Sequence, residues 1–326
     1  MIEISSPISR GGRLPRAVVA LGGNALLRRG EPLEADNQAR AARKAAGLLA
    51  RVSSANRLVV THGNGPQVGL LALMSNASTE TAPYPLDVLG SETEGQIGYM
   101  LELELDNAIP EQETVAVLTR VVVDASDPAF SAPSKFIGPV YSESEARSLA
   151  ERHRWTVKRD GENWRRVVPS PRPQRIVQLR AIERLVDAGF LVVCTGGGGI
   201  PVVEDRRGHQ RGVEAVIDKD PASALLAIDL RADMLVLATD VEAVYSDYGT
   251  PAQRPIARAT PPGLRSHEFA PGSMGPKVEA VCRFVERTRA RGVIGSLDRI
   301  DELLSGRAGT QVLPDGPELQ YGERKA

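Results

Sequence analysis

Lys219 in VIDKDPASALL and Lys277 in GSMGPKVEA each stand beside Gly, Pro or Asp where a strand should give way to a helix. Three glycine turns accompany them: LGGNAL at 21–26, THGNGPQVG at 61–69 and TGGGGI at 195–200. Four consecutive glycines forfeit side-chain packing, so they suit places of positive φ or of close approach to the main chain. After a short apolar strand, such a turn points N–H groups outward as a nest for an anion. In an open α/β sheet, ligands sit beyond the carboxyl ends of the strands, so the turns at 22–24, 63–65 and 196–199 are expected to share one rim. Gly22, Gly23, Gly63, Gly65, Gly196 and Gly197 are its candidate main-chain contacts, and Asn24 and Asn64 add amide donors. His62 is read as structural.

Fixed positive charge beside glycine turns fits phosphoryl transfer, which asks for in-line positioning and electrostatic stabilisation rather than covalent chemistry. Lys219 and Lys277 would ordinarily be solvated surface lysines, but their place at helix starts, where phosphate is favoured, marks them as exposed phosphate-binding cations. Asp218 and Asp220 bracket Lys219, where they cap the helix and orient the lysines. No GxxxxGK[ST] occurs and GGNALL lacks the third glycine of GxGxxG, so neither a P-loop nor a dinucleotide fingerprint is present. A nucleophile elbow and a metal-ligand cluster are also missing from the sequence, which leaves a kinase as the surviving enzyme class.

The elements that must carry these residues alternate. Short apolar strands at 17–23, 57–63, 114–124, 190–194, 232–240, 292–296 and 309–314 are separated by helical patterns at 34–53, 65–76, 87–109, 174–188, from about 218, at 274–290 and at 298–304. That order predicts a mainly parallel central sheet flanked by helices. The rhythm breaks between Asp124 and Pro173, a Pro- and Ser-rich tract holding both tryptophans. This reads as a small protruding subdomain, with a helix at 142–153 and a hairpin over 155–168 turning at Asp160-Gly161.

Composition bounds the rest. The 326 residues are 42% hydrophobic, enough to fill a sizeable core. Forty Lys+Arg against 41 Asp+Glu leave no global basic field for nucleic acid or an anionic membrane. Two cysteines, Cys194 and Cys282, are too few for a disulfide framework and lack metal-ligand spacing. No signal peptide or membrane-length apolar run is evident, so a cytoplasmic protein is expected.

LGGNALL, THGNGPQVG, YPLDVLGSETEGQIGYML, DPAFSAPSKFIGPVY, WRRVVPSP, GGGGIPVV, GVEAVIDKD, TDVEAVY and FAPGSMGPKVEA together resemble the carbamate kinases of the amino acid kinase superfamily. The resemblance runs from about Ala17 to Leu313. It implies a three-layer αβα sandwich at 17–314 with a protruding lid inserted at 124–173, an N-terminal extension at 1–16 and a tail at 315–326. The N-terminal half would form the carbamate side and 174–314 the nucleotide side. The implied reaction is reversible phosphate transfer between carbamoyl phosphate and ADP, giving ATP and carbamate, with magnesium accompanying the nucleotide and a homodimer as the working form.

By motif, Lys219 and Lys277 would hold the phosphates, with Asp220 orienting them. Gly23 and Asn24 would contact the transferred group, and Lys135 would reach over the substrate phosphate. Gly22, Gly63, Asn64, Gly65, Gly196 and Gly197 would line the carbamate side. Asp240, Val241, Ala243, Tyr245, Tyr248, Met274 and Gly275 would meet the nucleotide. Two positions depart from the family pattern: Phe136 stands where PTKPIG has proline, and Asp247 where Asn is usual before the aromatic. Two other readings compete, a superfamily relative phosphorylating a different small acid and a nucleotide-binding regulator without turnover. The retained lysines argue against the second.

Overall fold

The computed structural model describes residues 13–27, 31–78, 80–270 and 273–323. Its layering follows from strand periodicity. Along β1 (Arg16–Leu21), Ala17, Val19 and Leu21 face one helical layer while Val18 and Ala20 face the other, because successive side chains of a strand point to opposite sides. A strand covered on both faces becomes continuously apolar, which is why AVVAL carries no polar residue.

From β1 the chain forms α1 (Ala35–Ser53), β2 (Arg57–His62), α2 (Gly65–Ala77) and α3 (Leu86–Ala108). In α1 the buried set Ala42, Ala45, Ala46, Leu49 and Val52 follows helical spacing. The apolar run at 114–124 is not one strand. It divides into β3 (Thr114–Val117) and β4 (Arg120–Val123), which belong to different sheets. The break falls at Leu118 and Thr119, where the Thr119 N–H leaves the ladder to donate to Glu94 Oε2.

The next segment carries β5 (Lys135–Tyr141), α4 (Glu143–His153), β6 (Thr156–Asp160) and β7 (Asn163–Val168). A capping box between Ser142 and Glu145 starts α4. The β6–β7 hairpin turns through Gly161, at φ +62°, and Glu162. The three strands make a separate sheet in the order β5-β7-β6. Residues expected to open a helix at 174 instead form β8 (Pro173–Ile176), and α5 (Leu179–Ala188) begins only afterwards. Val123 and Pro173 are cross-strand partners, so the intervening chain leaves and returns at one point.

After β9 (Leu191–Cys194) come β10 (Ile200–Glu204), β11 (Gln210–Gly212), α6 (Lys219–Asp229) and β12 (Met234–Thr239). The remainder comprises β13 (Val244–Ser246), β14 (Arg254–Ala259), α7 (Pro261–Arg265), α8 (Met274–Thr288), β15 (Arg291–Ser296), α9 (Ile300–Leu304), β16 (Thr310–Val312) and β17 (Leu319–Tyr321). The ten-stranded central sheet runs β13-β14-β16-β15-β12-β1-β2-β9-β3, with β17 on β14. Its middle, from β15 to β3, is parallel. Helices α1, α3 and α9 cover one face, and α5, α6 and α8 the other, giving the three-layer sandwich. A four-stranded sheet, β11-β10-β4-β8, adjoins it. A small core of Val68, Ala72, Leu86, Leu89, Ile137, Val168 and Val216 joins the β5-β7-β6 unit to α2 and α3.

Candidate active site

Three consecutive residues at the start of α6 organise the charges. Asp218 is the N-cap, its Oδ1 accepting the Asp220 N–H at 3.0 Å. Its other oxygen accepts from Lys135 Nζ at 2.5 Å, although the two residues lie 83 positions apart. Asp220 takes Lys219 Nζ on Oδ1 at 2.5 Å and Lys277 Nζ on Oδ2 at 3.1 Å. Ammonium groups from β5, α6 and α8 are therefore all referenced to one helical turn. Such pre-set charge suits a multiply charged anion, because the site needs no reorganisation when charge develops.

Lys219 is not the solvated cation its residue type suggests: it is only 9% exposed. Burial pulls its ammonium below the ordinary value, and the Asp220 carboxylate is the main force opposing that fall. Burial alone would raise Asp220, but the two neighbouring ammonium groups outweigh it and hold the carboxyl well below the usual range. The lysine stem rests on the glycine rim, since a Cβ at Gly63 would stand 3.5 Å from Lys219 Cδ and 3.7 Å from the Gly23 nitrogen. The turns after β1 and β2 thus meet at Lys219.

The turn after β9 joins them through Asn64: a Cβ on Gly197 would fall 2.2 Å from the Asn64 amide nitrogen, so only glycine fits there. Its outward nest is smaller than four glycines suggest. Gly196 donates to Glu94 Oε1, Gly198 to the Thr195 carbonyl and Gly199 to the Gly196 carbonyl. Among the described residues only the Gly197 N–H in that run has no partner. Asn64 is itself held, its Nδ2 donating to Thr93 Oγ1 at 2.8 Å. Gly65 begins α2 with Pro66 behind it. Gly22 lies 2.9 Å, by its missing Cβ, from the Ala238 carbonyl, so it marks a backbone crossing. Gly23 and the Asn24 backbone form a 3-10 turn, and the side chain of Asn24 lies outside the described residues.

His62 is fully buried with Nδ1 against the Gly63 carbonyl, and burial pushes its pKa down to about 4. It is a neutral structural group. Asp240, Val241 and Ala243 occupy the link from β12 to β13, with Ala243 buried. Tyr245 on β13 and the exposed Tyr248 stand together, ring centroids 6.0 Å apart. Met274 and Gly275 open α8, one turn before Lys277, and Gly275 donates to the Ala270 carbonyl. Asp247 adopts φ +51°, a left-handed conformation that Asn and Asp both tolerate, which accounts for the exchange between them. Phe136 pairs with Val167 in the β5–β7 ladder and lies under the Arg165 guanidinium, so strand pairing stiffens the segment where proline would have fixed φ.

The sequence does not mark Asp218 as the anchor of Lys135, nor Glu94 and Thr93 as supports of the glycine rim. The signal for Glu94 was present: it falls on the buried stripe of α3 with Ile97, Leu101 and Leu105, where a carboxyl is out of place unless it holds something. Among the described residues no group of three His, Cys, Asp or Glu is placed to hold a metal.

The sequence model of the amino acid kinase family matches residues 15–296. A carbamate kinase of Haemophilus influenzae is 50% identical over 307 residues, covering 94% of this chain and 99% of the relative. One from Escherichia coli is 53% identical over 294 residues, covering 90% and 97%. Among solved structures, carbamate kinase from Giardia lamblia bound to AMP-PNP superposes with a TM-score of 0.85 at 37% identity, covering 93% of this chain and 99% of that one. A UMP kinase from Bacillus anthracis, at 15% identity and a TM-score of 0.53, shares the fold alone. The chain belongs to the amino acid kinase family, in its carbamate kinase branch, and is a phosphotransferase.

Proposed function

We propose that the protein transfers a phosphoryl group reversibly between carbamoyl phosphate and ADP, giving ATP and carbamate. The observation that carries this reading is the set of three ammonium groups, Lys135, Lys219 and Lys277, fixed by Asp218 and Asp220 beside the glycine rim. Carbamate kinases with half of their residues in common supply the substrate.

In this reaction a β-phosphate oxygen of ADP attacks phosphorus, the bond from phosphorus to the carbamate oxygen breaks, and carbamate leaves as an anion. No proton must move, so no general base is required. The protein's task is alignment and charge. Lys219 and Lys277 hold the equatorial oxygens, Asp220 aims both, and Gly23 with Asn24 meets the transferred group. Gly22, Gly63, Asn64, Gly65 and Gly197 shape the carbamate end, with Gly196 fixing the turn. The short amides and glycines leave room for carbamate and little for an amino acid side chain. Asp240, Val241, Ala243, Tyr245, Tyr248, Met274 and Gly275 form the nucleotide side, with magnesium carried on the nucleotide. Lys135, on the unit at 124–173 acting as a lid, exchanges Asp218 for the substrate phosphate when the site fills.

The working form is a cytoplasmic homodimer serving arginine-type catabolism. Exposed Met74, Tyr99 and Leu103 on α2 and α3 favour a self-association face. No helix among the described residues is long and apolar enough to cross a membrane. ATP formation from ADP and carbamoyl phosphate by the purified protein tests the activity. Failure to form ATP, or equal phosphorylation of aspartate, glutamate or acetylglutamate, would refute the assignment. Light scattering tests the dimer, which a monomeric mass at micromolar concentration would exclude.

A further inference from the structure

Glu94 sits where two strands of the chain change sheets together. Strands β3 and β9 are parallel neighbours in the central sheet, and their continuations β4 and β10 are parallel neighbours in the four-stranded sheet. The crossings are at Leu118–Thr119 and Thr195–Gly199. One carboxyl clips both: Glu94 Oε1 accepts the Gly196 N–H at 2.8 Å and Oε2 accepts the Thr119 N–H at 3.1 Å. Thr119 in turn accepts the Thr195 N–H on Oγ1 at 3.0 Å. The space is closed on the other side, since a Cβ on Gly196 would lie 2.4 Å from His62 Nε2 and 2.9 Å from Glu94 Cγ.

The neighbouring residue on α3 serves the facing wall. Thr93 Oγ1 accepts from Asn64 Nδ2 and donates to the Gly90 carbonyl. Gly197, whose N–H is unpartnered among the described residues, packs directly on that Asn64 amide. Adjacent side chains of one helix therefore fix both sides of the carbamate end: Thr93 through Asn64, Glu94 through Gly196.

We infer that Glu94 is a positioning residue of the carbamate end of the site, holding the Gly196–Gly197 turn so that the Gly197 N–H faces the carbamate group. This rests on the proposed carbamoyl phosphate chemistry. It assigns Glu94 no contact with substrate. The carboxyl is also uninvolved in the lysine cluster, so its loss should separate the two substrates kinetically.

Glu94→Gln turns one of the two acceptors into a donor facing an N–H group. The expected result is a KM for carbamoyl phosphate raised about tenfold or more, the scale of a lost buried hydrogen bond, with the KM for ADP changed less than about twofold. Glu104→Gln is the control. That acid is buried on the same helix but pairs with Arg43, so it should leave the KM for carbamoyl phosphate unchanged. Equal rises in both KM values, no rise in either, or the same split in the control would overturn the inference. If Glu94→Gln does not fold, Glu94→Asp withdraws the carboxyl by one methylene and should show the same split.

Amide exchange gives a readout independent of turnover: Gly196 and Thr119 should lose protection in the variant while β1 and β12 keep theirs. If the wild type forms no ATP from carbamoyl phosphate, the proposed function fails. The positioning claim is then decided by exchange alone, and unchanged protection at Gly196 refutes it.

Discussion

Replacing Asp220 by Asn keeps volume and removes the charge that two lysines share. Asp220 is 3% exposed, with Lys219 Nζ at 2.5 Å and Lys277 Nζ at 3.1 Å. Breaking a buried pair from one side leaves an uncompensated charge and costs about 3–5 kcal/mol; the side-chain exposure of Lys277 puts this site at the lower end, about 3 kcal/mol. Catalysis should fall by about a hundredfold or more, the scale of losing an aimed electrostatic contact. The pH dependence separates this from general damage. Burial already lowers the Lys219 pKa and Asp220 is its principal support, so the variant's lysine should lose its proton at lower pH than the wild type's. The protonated ammonium is the form that binds phosphate, so the deficit should widen as pH rises. Initial rates of ATP formation from acid to alkaline pH, with urea unfolding as the stability measure, provide the assay. A folded variant within about threefold of wild type, or a deficit independent of pH, would refute the role given to Asp220.

Lys135→Ala should depress turnover and raise the KM for carbamoyl phosphate while calorimetry shows unchanged ADP binding; equal loss of ADP affinity would exclude the lid assignment. Gly69→Ala should act similarly at a distance. Its Cβ would fall 2.0 Å from Gly138 Cα, so β5 must shift and carry Lys135 away from Asp218, with circular dichroism unchanged; wild-type kinetics would contradict this. Stability should fall as pH rises above about 6.5. Burial raises Glu94 from 4.5 to about 8, so its contribution is full below 4.5 and is lost by 8. His62 is lowered from 6.5 to about 4, so its contribution is present above 6.5 and lost towards 4. The two slopes oppose between 4.5 and 6.5, and Glu94 alone acts from 6.5 to 8, removing about 2 kcal/mol. Urea midpoints at the two pH values should differ in the wild type and coincide in Glu94→Gln; a flat wild-type profile would contradict the shift.

The sandwich was legible because buried parallel strands and amphipathic helices leave unmistakable periods: AVVAL, RLVV and MLVLAT needed no partner to be recognised. The transfer of 114–124 from one sheet to another was not, since an apolar run looks the same on either side of Thr119. Strand β8 was hidden because Pro-Gln-Arg-Ile is a proline-led, polar strand at the edge of the four-stranded sheet. Spacing and residue type marked Lys219 and Lys277 as candidates, but not that Lys219 is buried. Asp218 was legible as a helix cap, whereas its grip on Lys135 arises only when β5 folds across α2. Glycines announced the turn after β9, yet which of their N–H groups are already spent is decided by the turn's own bonds and by Glu94, 102 residues away.

The paired crossing from β3 and β9 into β4 and β10 also has a mechanical meaning. Two hydrogen-bonded strands passing together from one sheet to the next make a ribbon, which bends about one axis and resists torsion, unlike a single covalent link. The four-stranded sheet should therefore move with the sandwich as one body. The β5-β7-β6 unit shares no strand pairing with either sheet: it is linked through the segments 124–134 and 169–172 and rests on α2 and α3 through side chains, so compliance is concentrated there. Spin labels at Glu204 and Glu151, each measured against a label on α1, should show a fixed distance for the first and a ligand-dependent one for the second.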